Sequence, residues 1–130
     1  MFDFGLRIPD TGKMKKEEFL LRTKRFGLRV IRLVASLPRS PIATVLGNQL
    51  LRSGTSVGAN YRAAVRGKSR ADFVSKMGTV EEECDEALYW MEMLIESGSL
   101  RPKLAGGLMK EGEEILSIVV ASIKTARRNR

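Results

Sequence analysis

A chain of 130 residues with 43% apolar residues, one cysteine and a formal charge of +8 has the material for one domain with one core. It holds no histidine, which removes the commonest general base, the commonest metal ligand and the near-neutral pH switch. A single cysteine allows no internal disulfide, a structural zinc site is excluded, and only carboxylates are left for metal or acid–base chemistry. The start MFDFGLRIPD lacks a basic region followed by an apolar run, and no stretch approaches the roughly 20 apolar residues of a membrane span. The expected location is the cytoplasm, with no membrane partner.

In chain order, residues 1–14 come first and read as an N-terminal arm. Phe2, Phe4, Leu6 and Ile8 alternate before Pro9, a strand-like pattern that could clip onto a neighbour. The alternative is an unanchored leader.

A four-helix bundle is expected over 15–126. The first helix, about 15–36, stops at Leu37-Pro38, because a residue before proline disfavours the helical region. Its core stripe is Phe19, Thr23, Phe26, Val30, Leu33 and Leu37. Leu21, Leu28, Ile31 and Ala35 fall on the opposite side, and a helix apolar on two faces is buried on two. A bundle of this size buries one of them. Leu21, Leu28 and Ile31 are therefore the expected oligomer interface. Between the faces runs the row Arg22, Arg25, Arg29 and Arg32, either a solvated face or a row for ion pairs or a polyanion.

The second helix, about 41–67, opens with Ser40 as N-cap and Pro41 at its first position. It contains the run SGTSVGAN, residues 53–60. These are poor helix formers, and Gly54 and Gly58 alone should cost about 1 kcal/mol each relative to alanine. The apolar stripe is Ile42, Leu46, Leu50, Val57, Tyr61 and Ala64. Gly47, Gly54 and Gly58 line one shoulder, leaving a groove in which another helix can come close. Arg52, Arg62 and Arg66 point outward.

The third helix, about 70–96, begins at Ser69-Arg70-Ala71-Asp72, a capping-box variant with Asp for Glu, and ends before Gly98. Phe73, Met77, Val80, Cys84, Ala87, Met91 and Leu94 form a heptad stripe, which makes Cys84 a core residue. Beside it, Glu82 and Glu86 offer partners for Ser53, Ser56 and Asn60. A buried polar layer of these five would offset the poor propensity of SGTSVGAN. The fourth helix, about 102–126, carries Leu104, Leu108, Glu111, Ile115, Ile118 and Ser122. A basic tail follows at 127–130. Short links between long helices argue for an antiparallel up-and-down arrangement.

Charge is unevenly spread. Residues 15–70 sum to +11, residues 71–98 to −7 and residues 99–130 to +4. The basic half attracts polyanions. Arg22, Arg25, Arg29, Arg62, Arg66, Arg127 and Arg128 are the candidate nucleic-acid contacts, by phosphate with little sequence preference, since no aromatic is interleaved for stacking. Part of the set could instead pair with Glu81, Asp85, Glu92 and Glu96 of the acidic third helix.

The run QLLRSGTSVGANYRAAVRGKSRADFVSKMGTVEEECDEALYWMEML, residues 49–94, resembles the four-helix-bundle family of bacterial 23S rRNA intervening-sequence proteins. Arg52, Ser53, Ser56, Val57, Ala59, Asn60, Ser69, Asp72, Phe73, Glu82 and Glu86 match its pattern. Ala63 stands where many members carry Glu, and a role of that Glu does not transfer. The resemblance implies a ring-like homopentamer, relatedness to the accessory proteins of diversity-generating retroelements, and no enzymatic activity. It thereby suggests RNA or DNA and a reverse transcriptase as partners. A protein-interaction scaffold is the alternative. Glu82 and Glu86 lie one turn apart, as in helix-bundle metal sites, but those pair Glu with His. No catalytic residue, metal or cofactor is expected.

Overall fold

The computed structural model describes residues 15–129. The arm at 1–14, with its alternating Phe2, Phe4, Leu6 and Ile8, lies outside the described residues, as does Arg130. Four helices make up the fold: α1 (Lys16–Ala35), α2 (Pro41–Val65), α3 (Arg70–Glu96) and α4 (Pro102–Arg128). Each packs on its chain neighbours, and α1 also meets α4 along the loosest of the four seams. The result is a four-helix bundle.

The caps follow the sequence. The Ser40 hydroxyl accepts from the Ala43 N–H at 3.1 Å with Pro41 behind it, and the Ser69 hydroxyl accepts from the Asp72 N–H at 3.0 Å. Asp72 Oδ2 reaches back to the Lys68 N–H at 3.0 Å and to Lys76 Nζ at 3.0 Å, which pins the α2–α3 turn. At the end of α3, Gly98 has φ +81°, and the Ser99 and Leu100 N–H groups close on the Leu94 carbonyl. That left-handed turn suits glycine.

One core runs through the bundle. Phe19, Phe26 and Val30 of α1 meet Leu50, Val57 and Tyr61 of α2, the α3 stripe from Phe73 to Leu94, and Ile115 and Val119 of α4. Phe19 and Tyr61 pack edge to face, with centroids 4.8 Å apart. Three expected core positions, Ile42, Leu104 and Glu111, lie outside the buried core. Ile42 and Leu104 are exposed, each in the first turn of its helix. In α4 the inward positions are Ala105 and Gly112, one residue beyond the expected Leu104 and Glu111. A 3.6-residue turn drifts against a strict heptad over such a length. Helix α4 also continues through Arg128, so Arg127 and Arg128 belong to its last turn instead of a separate tail.

The glycines of α2 face α1. A Cβ on Gly54 would stand 2.8 Å from both methyls of Val30, and one on Gly58 3.2 Å from the Thr23 carbonyl. Gly27 of α1 lies in turn against the backbone of Gly54 and Thr55. Small residues on both helices thus bring α1 and α2 close together.

Candidate nucleic-acid interface and assembly face

The polar side chains of SGTSVGAN do not form the expected cross-helix layer. Ser53 is buried, but its hydroxyl donates to the Gln49 carbonyl at 2.9 Å. Ser56 donates to the Arg52 carbonyl at 2.7 Å, and Asn60 Nδ2 to the Ser56 carbonyl at 2.9 Å. All three bonds stay within α2. Ser56, Asn60 and Glu86 are half-buried, and Glu82 is exposed. The physical reason is local. A short hydroxyl or amide on a helix reaches the carbonyl one turn back without needing a second helix.

The α2–α3 polar link is made by a longer side chain. Arg52 Nη1 donates to Glu83 Oε2 at 3.2 Å, and its Nη2 pairs with Glu86. Trp90 Nε1 donates to the same Glu86 carboxylate at 3.2 Å. Arg52 therefore lies across α3 and not simply outward.

The row on α1 divides. Arg22 makes a two-pronged contact with Glu111 of α4, Nε to Oε2 and Nη2 to Oε1, both at 2.8 Å, and Nη2 also reaches Glu114 at 2.9 Å. The Arg22 and Glu111 side chains are 21% and 20% exposed. The Glu111 hydrogen bond raises the Arg22 pKa above its already high value, against desolvation that lowers it. Arg22 is thus spent on the α1–α4 seam and is not available to a polyanion, a correction to its place among the phosphate contacts. The acids that take it are on α4, and not the expected Glu81, Asp85, Glu92 and Glu96. Glu111 interrupts an apolar stripe, a sign that an acid on α4 needs a cation, but nothing in the spacing names Arg22 as that cation.

Arg25, Arg29, Arg32, Arg62 and Arg66 are exposed and have no carboxylate partner among the described residues. Arg29 lies along α4, its guanidinium beside Gly107. Lys124, Arg127 and Arg128 are likewise exposed at the far end of α4.

Leu21, Leu28 and Ile31 are 46%, 42% and 43% exposed. They flank an open, mainly apolar groove of about 610 Å³ between α1 and α2. Gly58 and Ala59 belong to its α2 side, and Lys24, Arg62 and Arg66 bring positive charge to it. Tyr89 and Met93 form a second exposed apolar pair on α3. Among the described residues, no group of three or more acidic or sulfur side chains is placed to hold a metal ion, and no helix is long and apolar enough to cross a membrane.

Comparisons add the lineage. No curated protein matches the chain. Among solved structures, a protein of unknown function from the S23 ribosomal protein family of Bacteroides thetaiotaomicron VPI-5482 is 32% identical, with a TM-score of 0.79. The alignment covers 85% of this chain and 99% of that one. The family model described as 23S rRNA-intervening sequence protein matches residues 15–121, the four helices nearly end to end. The chain belongs to the family of 23S rRNA-intervening sequence proteins.

Proposed function

We propose that this protein is a non-enzymatic RNA- or DNA-binding protein that grips the phosphate backbone with little sequence preference. The observation that carries the reading is the set Arg25, Arg29, Arg62 and Arg66, exposed guanidinium groups without carboxylate partners among the described residues. Arg127 and Arg128 add to it at the end of α4. The helices run alternately up and down, and copies close into a ring-like homo-oligomer, a pentamer on the family resemblance. Leu21, Leu28 and Ile31 meet the next copy. A ring repeats each basic patch and so raises avidity. Such an oligomer could serve as an accessory factor to a reverse transcriptase in the cytoplasm.

The test is fluorescence anisotropy with labelled RNA and DNA across a salt series. Affinity should fall steeply with salt, because each phosphate contact releases counterion. Changing Arg62 and Arg66 to alanine should weaken binding equally across sequences and flatten the log–log salt slope by about two units. No binding to either nucleic acid at low salt overturns the reading. It would then favour the second one, a protein-interaction scaffold, for which the apolar groove speaks. Light scattering tests assembly: Leu28→Glu should dissociate the oligomer, since a charge in an apolar contact loses hydration without a partner.

A further inference from the structure

Two exposed apolar faces stand on opposite corners of the bundle, and the charges around them are opposite in sign. Helix α1 packs on α2 and α4, and so does α3, while α1 and α3 do not meet among the described residues. The two helices are therefore diagonal, and their outer faces look away from each other. On α1 the outer row is Lys24, Leu28 and Arg32, with Ile31 beside it. On α3 it is Asp85, Tyr89 and Glu92, with Met93 beside it. All of these side chains are exposed. Lys24, Arg32, Asp85 and Glu92 have no ion-pair partner among the described residues.

The rows match in spacing. At 1.5 Å per residue, Lys24 and Arg32 stand about 12 Å apart along α1 with Leu28 midway, and Asp85 and Glu92 stand about 10.5 Å apart along α3 with Tyr89 between them. Charge decides what each face can meet. Two α1 faces brought together would set Lys24 and Arg32 against their own copies, and two α3 faces would set acid against acid, both repulsive. A contact of α1 with α3 sets cation against acid and apolar against apolar. The α1 face also borders the open groove of about 610 Å³, which an aromatic ring and a flexible thioether are suited to fill.

We propose that α3 of one copy docks on α1 of a second copy, with Tyr89 and Met93 against Leu28 and Ile31, and with Asp85 and Glu92 facing Lys24 and Arg32. The contact is head to tail. Each copy offers α1 on one side and α3 on the other, so every face is covered only when the assembly closes on itself. The inference rests on the assembly part of the proposed function and names the surface that Leu28 and Ile31 meet there. It leaves the phosphate contacts free. Arg29 lies along α4 beside Gly107, with Arg25 one turn away on the same side. Arg62 and Arg66 lie beyond the contact of Gly58 with Thr23, toward the Glu17 end of the groove.

The experiment reverses charge on the full chain. Lys24→Glu with Arg32→Glu, and separately Asp85→Lys with Glu92→Lys, should each move the light-scattering mass from several copies to one. All four changes in one chain should restore the parent mass, because each new acid meets a new cation. If the Asp85→Lys/Glu92→Lys protein keeps the parent mass, the proposal is overturned while assembly through α1 stands. A parent protein of one-copy mass overturns both, and a fourfold variant that stays at one copy overturns the proposal. Cross-linking gives a check that does not depend on dissociation. Leu28→Cys/Tyr89→Cys treated with a short bismaleimide should run at dimer mass and above on a denaturing gel, since the two sites of one chain lie on opposite corners and Cys84 is buried. Leu28→Cys alone should stay at monomer mass. No link in the double variant, or a dimer-mass link from Leu28→Cys alone, overturns the proposal.

Discussion

Gly54 of α2 leaves no room above Val30 of α1: a Cβ there would stand 2.8 Å from both valine methyls. Gly54→Ala therefore sets overpacking, typically 1–3 kcal/mol, against a helix-propensity gain of about 1 kcal/mol. The contact predicts a coupling. In a Val30→Ala background the steric penalty should largely vanish, so the double variant should be more stable than the sum of the single changes. Urea unfolding of the four proteins measures it. Strict additivity would show that the helices approach less closely than described.

The Arg22–Glu111 contact closes the loosest seam of the bundle. Glu111→Gln should cost about 1–3 kcal/mol, because a half-buried guanidinium loses a charged acceptor. Arg22→Lys should be nearly as costly, since an ammonium cannot make the two-pronged contact. Thermal melts of both variants at low and moderate salt check this. A loss below about 0.5 kcal/mol in each would place the pair with ordinary surface ion pairs.

Asp72 titrates below the usual carboxylate range, held down first by the Lys68 N–H and then by Lys76. Its folded pKa lies under its unfolded one, so its contribution is fully present above the unfolded value and fades as pH falls through the folded value. Acid unfolding of Asp72→Asn should accordingly show a shallower loss of stability below about pH 4 than the parent. Identical pH profiles would contradict the assignment.

Burial, and secondarily the charge of Asp85, pushes the Cys84 thiol up to about 12, and its Sγ donates to the Gly112 carbonyl at 3.3 Å. The folded protein should react with a thiol reagent at neutral pH only as fast as it opens, with full reaction in denaturant. Rapid modification of the native protein would mean that the core around α3 and α4 is accessible.

Much of this architecture is legible in the sequence. Pro41, Ser40, Ser69 and Gly98 mark helix ends by their own backbone chemistry, and the α3 stripe from Phe73 to Leu94 is buried throughout. Chemistry that depends on which helix stands opposite was harder to read. Ser56 and Asn60 look like cross-helix donors by spacing, yet their side chains are short enough to bond within their own turn. Arg22 and Glu111 are 89 residues apart, and only the closing of the bundle makes them neighbours. Periodicity gives each residue a face and says nothing of the partner across it.

The close α1–α2 approach also bears on the order in which the chain folds. A helix whose middle is SGTSVGAN has little tendency to form alone, and short isolated helices are marginal even with good formers. An excised peptide over 41–65 should be mostly coil by circular dichroism, while one over 70–96 should be measurably helical. The centre of α2 would then gain its shape from docking. Val30 and Thr23 arriving on the bare glycine surface supply the dispersion contact that its own side chains lack. Substitutions at Gly54 or Val30 should consequently slow refolding, whereas changes on the outer face of α3 should leave the rate alone.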